Sequence, residues 1–278
     1  MTIITAKVIE DSVAEGNGVR LTTLQLQYPR FIHAEFMTHR VFSRNASSSR
    51  AIPVAKVIEQ VRNDPAMPIH WGKNQPGMQA NEELQGDERE QVIRQWKIAA
   101  GRAADSANIM NMLGVHKQVA NRILEPFQYM HVIVTATEWL NFFDLRAHPD
   151  AQPEIHALAL TMRAAFDQSK PTMLREDEWH MPYVTRQERL ENYGNVDLLL
   201  KISAARCARV SYLTHDGQTP SIEKDVALYD RLVGSVPLHA SPIEHQATPM
   251  VGKGSAELWS GNFRGWLQHR KMVESQTH

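Results

Sequence analysis

Thirteen consecutive residues, Thr38 to Arg50, hold the densest group of side chains that could do chemistry. They include three arginines, a histidine, an asparagine and five hydroxyl groups, and no Lys, Asp or Glu. Guanidinium groups bind a phosphate through paired hydrogen bonds, and hydroxyl groups add short ones. A solvated surface would normally include Lys and Glu as well. The composition therefore indicates a site for a phosphate ester, with a plain surface loop as the alternative.

The overall charge makes this anion site a local feature. The 278 residues contain 30 Lys and Arg against 31 Asp and Glu, which excludes a protein that coats a polyanion. We therefore expect no nucleic-acid partner. No apolar run is long enough to cross a bilayer, and the first residues lack the layout of a signal peptide. We expect a soluble, cytoplasmic protein with no membrane partner.

Cysteine and histidine usage argues against two further kinds of site. The single cysteine, Cys207, excludes an internal disulfide framework and a multi-cysteine zinc site, and it fits a reducing cytoplasm. Alanines surround it in a helical segment, which favours a packed thiol over a nucleophile. The thirteen histidines show no metal-ligand spacing, so no metal site is expected.

The elements before the segment predict how it is held. Residues Thr2 to Val13 are rich in β-branched side chains and predict a strand. Glu15 to Gly18 predicts a hairpin turn, and Val19 to Gln27 the returning strand. Helical spacing then follows from Phe31 to Arg40. The arginine-rich segment is therefore expected at the end of a helix and in the loop beyond it.

The rest of the chain predicts one α+β domain, residues 1–278, with an antiparallel sheet flanked by helices. Two long irregular stretches, near 63–86 and 170–194, are expected to be loops; the first is either a surface loop or a ligand lid. Further helices and one strand are predicted, namely helices Val54–Arg62, Asp87–Gly114, Val115–Leu124, Thr137–Arg146, Asp150–Phe166, Val196–Arg209 and Ser221–Val233, and strand Phe127–Thr135.

The order of residues within the segment resembles the signature R-H-R-x-x-S-x-N-x-x-S-x-R of the flavin-dependent thymidylate synthases, the ThyX family. Thr38 stands where the family usually has Arg. The other six fixed positions agree, and they are His39, Arg40, Ser43, Asn45, Ser48 and Arg50.

Four shorter stretches resemble other motifs of the same family. Ala120–Pro126 is similar to A-R-x-x-L-P, and Asn141–Ile155 to N-F-L-x-L-R followed by H-A-Q-x-E-I. Ala205–Ser211 is similar to A-R-V-S, and His239–His245 to H-x-[ST]-P-F-E-H. The family carries the last two before its arginine signature, whereas here they follow it. The chain thus resembles a permuted member of the family.

This resemblance implies a function. The family converts deoxyuridine monophosphate (dUMP) to thymidylate, with methylene-tetrahydrofolate as the carbon donor and FAD, reduced by NADPH, as the hydride donor. It implies a pyrimidine deoxynucleotide and folate as partners, and a homotetramer with active sites shared between subunits. Without a protein thiol on the ring, the protein must orient the reactants and stabilise charge.

The resemblance also assigns roles to residues. Arg146 is the expected catalytic residue, at the base, where its guanidinium could stabilise charge on a ring carbonyl. Taken alone, Arg146 would read as a structural ion pair and Arg122 as a helix-end cation. The substrate-binding residues are Glu35, Ser48, Arg50, Arg122 and Arg146. The FAD-binding residues are His39, Arg40, Ser43, Asn45, Asn141, His239 and Ser241.

Departures from the family leave two alternatives open. Glu35 stands where the family commonly has Gln, and a carboxylate only accepts hydrogen bonds. It would prefer an amino group such as that of cytosine, so methylation or hydroxymethylation of deoxycytidine monophosphate (dCMP) or dUMP is one alternative. Thr38, Ala46 and Asp150 also differ from the usual residues, which favours the other alternative, a non-catalytic nucleotide-binding relative.

Overall fold

The computed structural model describes residues 2–210, 221–250 and 258–276. Strands β1 (Thr5–Ala14) and β2 (Arg20–Pro29) form an antiparallel hairpin. Gly18, with a φ of 69°, lies in the turn between them, a conformation that glycine adopts without steric cost. The predicted hairpin is therefore confirmed.

Three more strands complete the main sheet. They are β3 (Ser43–Ala46), β4 (Tyr129–Ala136) and β5 (Thr172–Leu174), and the order is β3-β4-β2-β1-β5. All neighbours are antiparallel except β1 and β5, which are parallel. Strands β6 (Ala247–Pro249) and β7 (Trp266–Gln268) pair separately.

Ten helices surround the sheet in the part of the chain that the structure describes, which confirms the α+β class. They are α1 (His33–Phe36), α2 (Val54–Asn63), α3 (Gly86–Met112), α4 (Lys117–Ala120), α5 (Leu140–Arg146), α6 (Pro153–Gln168), α7 (Arg186–Glu191), α8 (Val196–Arg209), α9 (Ile222–Val233) and α10 (His269–Gln276). Short 3-10 helices cover Arg30–Ile32, Asn121–Phe127 and Ser241–Glu244.

The two faces of the sheet differ in chemistry because side chains alternate along each strand. One face of β2 and β4 carries buried apolar residues such as Leu24, Leu26 and Val132, which pack with Phe36 of α1 and Phe142 of α5. Strands β1 and β2 also contact α6. This apolar layer fixes α5, and with it the position of Arg146 at the end of that helix.

The opposite face carries a chain of buried polar groups. His180 lies between Ser12 of β1 (2.9 Å from Nδ1) and Thr23 of β2 (2.7 Å from Nε2). Thr23 contacts Thr135 of β4 at 2.7 Å, and Thr135 contacts Nδ1 of His245 at 2.8 Å. These contacts attach the C-terminal third of the chain to the sheet.

Some predicted elements are placed differently by tertiary contacts. The helix predicted from Phe31 to Arg40 ends at Phe36, and β3 forms within the arginine-rich segment because β4 offers it an edge. The residues predicted for the helix Val115–Leu124 fall in α4 and in a 3-10 helix. Stretch 170–194 contains β5 and α7, so it is less irregular than predicted.

No helix within residues 2–210, 221–250 and 258–276 is both long and apolar enough to cross a membrane. Within the same ranges, no group of three or more His, Cys, Asp or Glu side chains could hold a metal ion.

Candidate functional site

Arg146 and His39 form the centre of the first group of predicted site residues. Nε of Arg146 donates to Nε2 of His39 at 3.0 Å, and Nη2 donates to Oγ1 of Thr38 at 3.2 Å. The His39 ring packs edge-on against Phe142, with centroids 4.8 Å apart. Because α5 carries both Phe142 and Arg146, the helix fixes the positions of the His39 imidazole and the Arg146 guanidinium relative to each other.

The protonation state of His39 follows from this contact. Burial, followed by the charges of Arg146 and Arg44, lowers the pKa of His39 to about 4. The imidazole is therefore neutral at pH 7. Since Nε2 accepts from Arg146, the proton must be on Nδ1.

Glu35 brings an acidic group to the same place. Its Oε2 lies 4.0 Å from Nη1 of Arg146, and 38% of its side chain is exposed. Burial raises the pKa of Glu35, and the charge of Arg146 opposes that rise. A carboxylate acceptor and a guanidinium donor therefore lie side by side, where they could bind a ring that offers both kinds of group.

Glu35 and Arg146 line a cavity of about 1110 Å³. The aromatic rings of Phe31 and Trp96 form part of the cavity wall, and residues 75–81 form much of the rest of it. Those residues belong to the long loop between α2 and α3, for which the sequence left a surface loop and a ligand lid as alternatives. The loop is anchored as well: the ring of Trp71 packs edge-on against Trp96 with centroids 6.1 Å apart.

A second group contains the residues predicted to bind phosphate. Nδ2 of Asn121 donates to the Ser49 carbonyl at 2.7 Å, which ties the end of the arginine-rich segment to the residue preceding Arg122. Oγ of Ser48 accepts from the Arg50 backbone N–H at 3.3 Å. Ser48, Arg50 and Arg122 thus share one corner of the molecule, and the side chains of Arg50 and Arg122 are exposed.

Ser43 and Asn45 point into the protein interior instead. Oγ of Ser43 accepts from Nε2 of Gln268 at 3.2 Å. Nδ2 of Asn45 donates to the Cys207 carbonyl at 3.2 Å. Both side chains are buried, because their alternate positions on β3 face the C-terminal third of the chain.

The remaining predicted residues lie nearer to solvent. Arg40, Asn141 and His239 are exposed, and Ser241 is half-buried at the start of a 3-10 helix. In the described parts of the chain, no hydrogen bond joins these four side chains to Arg146 or Arg122. Their predicted contacts with FAD therefore stay predictions.

Cys207 is fully buried on α8, as the packed-thiol interpretation expects. Burial raises the pKa of its thiol, so the thiolate needed for nucleophilic attack is disfavoured. Ser211, at the end of the A-R-V-S resemblance, lies outside the described residues.

Two contacts near the site were missed by sequence reasoning. Thr38 seemed only a departure from a motif, yet it accepts a hydrogen bond from Arg146. Arg30 and Glu125 form an ion pair 3.0 Å long across 95 residues of sequence. No local pattern signals such a pair, since the two residues meet only when the 3-10 helices pack together.

Comparison with known proteins supplies a family. The model of the family described as "Thymidylate synthase complementing protein" (Thy1) matches residues 19–172. This range includes the arginine-rich segment, Arg122 and Arg146. A search of curated proteins finds no match.

Two solved structures of a UMP/dUMP methylase, PolB from Streptomyces cacaoi, are similar to the chain. One contains 5-Br dUMP and the other 5-Br UMP. Each is 17% identical over 62% of this chain, with a TM-score of 0.49, and the alignments cover 92% and 91% of the PolB chains respectively.

Proposed function

The chain belongs to the Thy1 family of thymidylate synthase complementing proteins, and from this premise we propose that it is a nucleotide C5-methyltransferase. The proposed reaction converts dUMP to thymidylate, with methylene-tetrahydrofolate, FAD and NADPH. The observation that carries the proposal is the position of Arg146, hydrogen-bonded to neutral His39 at the wall of a cavity.

Each group of residues has a task in this reaction. Ser48, Arg50 and Arg122 bind the phosphate. Arg146 directs Nη1 at a ring carbonyl and stabilises the negative charge that develops there when C5 acts as the nucleophile. Neutral His39 supports this by accepting from Nε and thereby fixing the plane of the guanidinium. The absence of an accessible thiol at Cys207 agrees with a route that forms no bond between protein and ring.

The predicted FAD contacts fit the molecule only in part. When bound, FAD would supply the hydride that completes the methyl group. Arg40, Asn141 and His239 are exposed and could hold it. The side chains of Ser43 and Asn45 are already bound to Gln268 and to the Cys207 carbonyl. We propose that these two residues keep β3 in place, and that they would contact FAD directly only if the C-terminal segment moved.

We further propose a cytoplasmic homotetramer with shared active sites. Apolar side chains near Arg146 and His39 are exposed in the single chain, namely Met37, Val41, Leu140 and Leu145. A neighbouring subunit would cover this surface and add groups to the exposed Arg40 and Asn141.

Purified protein, incubated with FAD, methylene-tetrahydrofolate, NADPH and tritiated dUMP, tests the reaction. Loss of tritium from C5 together with formation of thymidylate is the expected result. A flavin spectrum in the purified protein supports the enzyme. A colourless protein that cannot be reconstituted with FAD but still binds dUMP supports the non-catalytic alternative instead.

The position of Glu35 makes dCMP a second candidate substrate. The Glu35 carboxylate lines the cavity beside Nη1 of Arg146. The 4-amino group of cytosine can donate to the carboxylate while N3 accepts from the guanidinium; uracil can use N3–H and a carbonyl. Turnover of dUMP and dCMP, each in the wild type and in Glu35→Gln, decides between them, and product mass distinguishes methyl from hydroxymethyl. Clean thymidylate formation from dUMP alone would end the dCMP candidate.

A further inference from the structure

A single carboxylate oxygen lies among three donors at the phosphate corner. Oε1 of Glu125 accepts from Oγ of Ser49 at 3.0 Å and from Nη1 of Arg122 at 3.0 Å. Nη2 of Arg30 lies 3.0 Å from the same atom. Two guanidinium groups and a hydroxyl group around one anionic oxygen are what a phosphate oxygen would need.

The exposure of these side chains would allow a phosphate group to replace the Glu125 carboxylate. The side chains of Arg30 and Glu125 are 19% and 23% exposed, and that of Arg122 is 57% exposed. Glu125 therefore reaches solvent on one side, next to the more exposed Arg122. Ser49 is buried, and Asn121 holds its backbone, so the hydroxyl group stays fixed when the carboxylate leaves.

We propose that Arg30, Ser49 and Arg122 form a binding site for the phosphate monoester of the substrate, and that Glu125 occupies this site until the phosphate displaces it. The inference rests on the proposed function, which places phosphate near Arg122, and adds Arg30 and Ser49 to the site. Glu125 keeps two cations of like charge together in the free protein. It also competes with the ligand, so the phosphate contributes less to affinity than the number of donors suggests.

Glu125→Gln tests this proposal, because the substitution keeps the shape of the side chain and removes its charge. Binding of dUMP, deoxyuridine and inorganic phosphate is measured by titration calorimetry in the full protein. We expect Glu125→Gln to bind dUMP and inorganic phosphate about tenfold more tightly than the wild type. Affinity for deoxyuridine, which has no phosphate, should not change.

Asp105→Asn is the matched control. Asp105 forms an ion pair of 2.6 Å with Arg62 on exposed helix surface, and its loss should change none of the three affinities. Adding Arg30→Gln to Glu125→Gln should abolish the gain. Unchanged or weaker dUMP binding in folded Glu125→Gln would overturn the proposal, because Glu125 would then orient the arginines rather than compete for them.

Two further measurements keep the test decisive. If Glu125→Gln does not fold, the wild type is titrated with dUMP and deoxyuridine; the proposal predicts a difference below about tenfold, and a larger one refutes it. Activity is scored separately. If the expected gain in phosphate affinity is observed but dUMP is never methylated, the anion site is supported and the proposed reaction is refuted. If dUMP is methylated but Glu125→Gln does not bind phosphate more tightly, the reaction is supported and the role of Glu125 is refuted.

Discussion

Arg146 uses its guanidinium in three directions. Nε donates to His39, Nη2 donates to Thr38, and Nη1 lies beside Glu35 at the cavity wall. Lysine has one nitrogen and cannot reproduce this fork. The side chain therefore depends on the geometry of arginine, and positive charge alone is insufficient.

This geometry predicts the effect of Arg146→Lys. We expect kcat/KM for thymidylate formation to fall about 100-fold, because one preorganised donor to the ring is lost. Steady-state kinetics with dUMP measures the change. Arg163→Lys is the control, since Arg163 forms a 3.8 Å ion pair with Asp167 on the exposed side of α6. Equal activity of Arg146→Lys and the wild type would contradict a catalytic role.

For Cys207 we predict that substitution leaves activity unchanged. Its thiol is fully buried and its pKa is raised by burial. We expect Cys207→Ala to keep the wild-type kcat and to lose about 1 kcal/mol of unfolding free energy, as for a small buried apolar group. Enzyme assay and urea denaturation measure the two effects. An inactive variant that is still folded would show that a thiol takes part in the reaction.

At the scale of elements, α8 and α9 are joined by a buried ionic network. Arg206 of α8 donates through Nε to Asp225 of α9 at 2.9 Å, and Arg209 donates to the other Asp225 oxygen at 3.0 Å. Nη1 of Arg206 also donates to Glu188 of α7 at 2.8 Å. The hydrogen bond from Arg206, followed by those from Thr185, lowers the pKa of Glu188 to about 2 despite burial.

The network predicts that Asp225→Asn destabilises the protein. Asp225 is fully buried, and removing one partner of a buried ion pair leaves the other charges uncompensated. We expect the free energy of unfolding to fall by about 3 kcal/mol, measured by urea denaturation. Asp230→Asn is the control on the same helix, where the side chain is 60% exposed and 3.9 Å from Lys201. Equal stability of the two variants would contradict the argument.

Helices and strands whose own residues show a clear pattern were predictable from sequence. Helix α8 has the bounds Val196 and Arg209 that its pattern predicted. Strand β3 was missed, because Ser43, Arg44 and Asn45 have no preference for a strand. Its conformation comes from pairing with β4, a contact made across more than 80 residues.

The same distinction applies to the candidate site. The family resemblance implied that Ser48, Arg50 and Arg122 bind one ligand, and the structure brings them to one corner. It gave no indication that Ser43 and Asn45 bind Gln268 and the Cys207 carbonyl. Which face of β3 meets the C-terminal third is decided by tertiary packing.

At the scale of the whole molecule, the C-terminal third is attached to the sheet through neutral histidines. His180 and His245 are fully buried and joined to hydroxyl groups of three strands. Nε2 of His245 is buried without a hydrogen-bond partner among the described residues. A protonated imidazole there would bring an uncompensated charge into the interior.

Stability should therefore fall in mild acid. Burial lowers the pKa to about 3 for His245 and to about 4 for His33, His39 and His269. The unfolded chain binds protons near pH 6.5, where the folded protein does not. Each histidine thus contributes stability that is complete above pH 6.5 and is lost as pH falls toward 4, at up to about 1.4 kcal/mol per pH unit.

Glu10 acts in the opposite direction. Burial raises its pKa to about 7 despite Arg189, so its contribution is lost as pH rises from 4.5 to 7. The raised pKa values of Glu35 and Glu244 act in the same direction as that of Glu10. Six histidines with lowered pKa values, including His131 and His180, oppose these three carboxyl groups, and the histidines should dominate. We expect the urea midpoint to be lower at pH 5 than at pH 7.5. His33→Gln should reduce this difference, because it removes one imidazole whose pKa is lowered by burial. The His33 ring contacts the Tyr28 hydroxyl at 2.9 Å, and Gln offers polar atoms for the same contact. Substitution of exposed His116 by Gln should not reduce the difference. A midpoint that rises on acidification would show that the buried histidines do not control stability in this range.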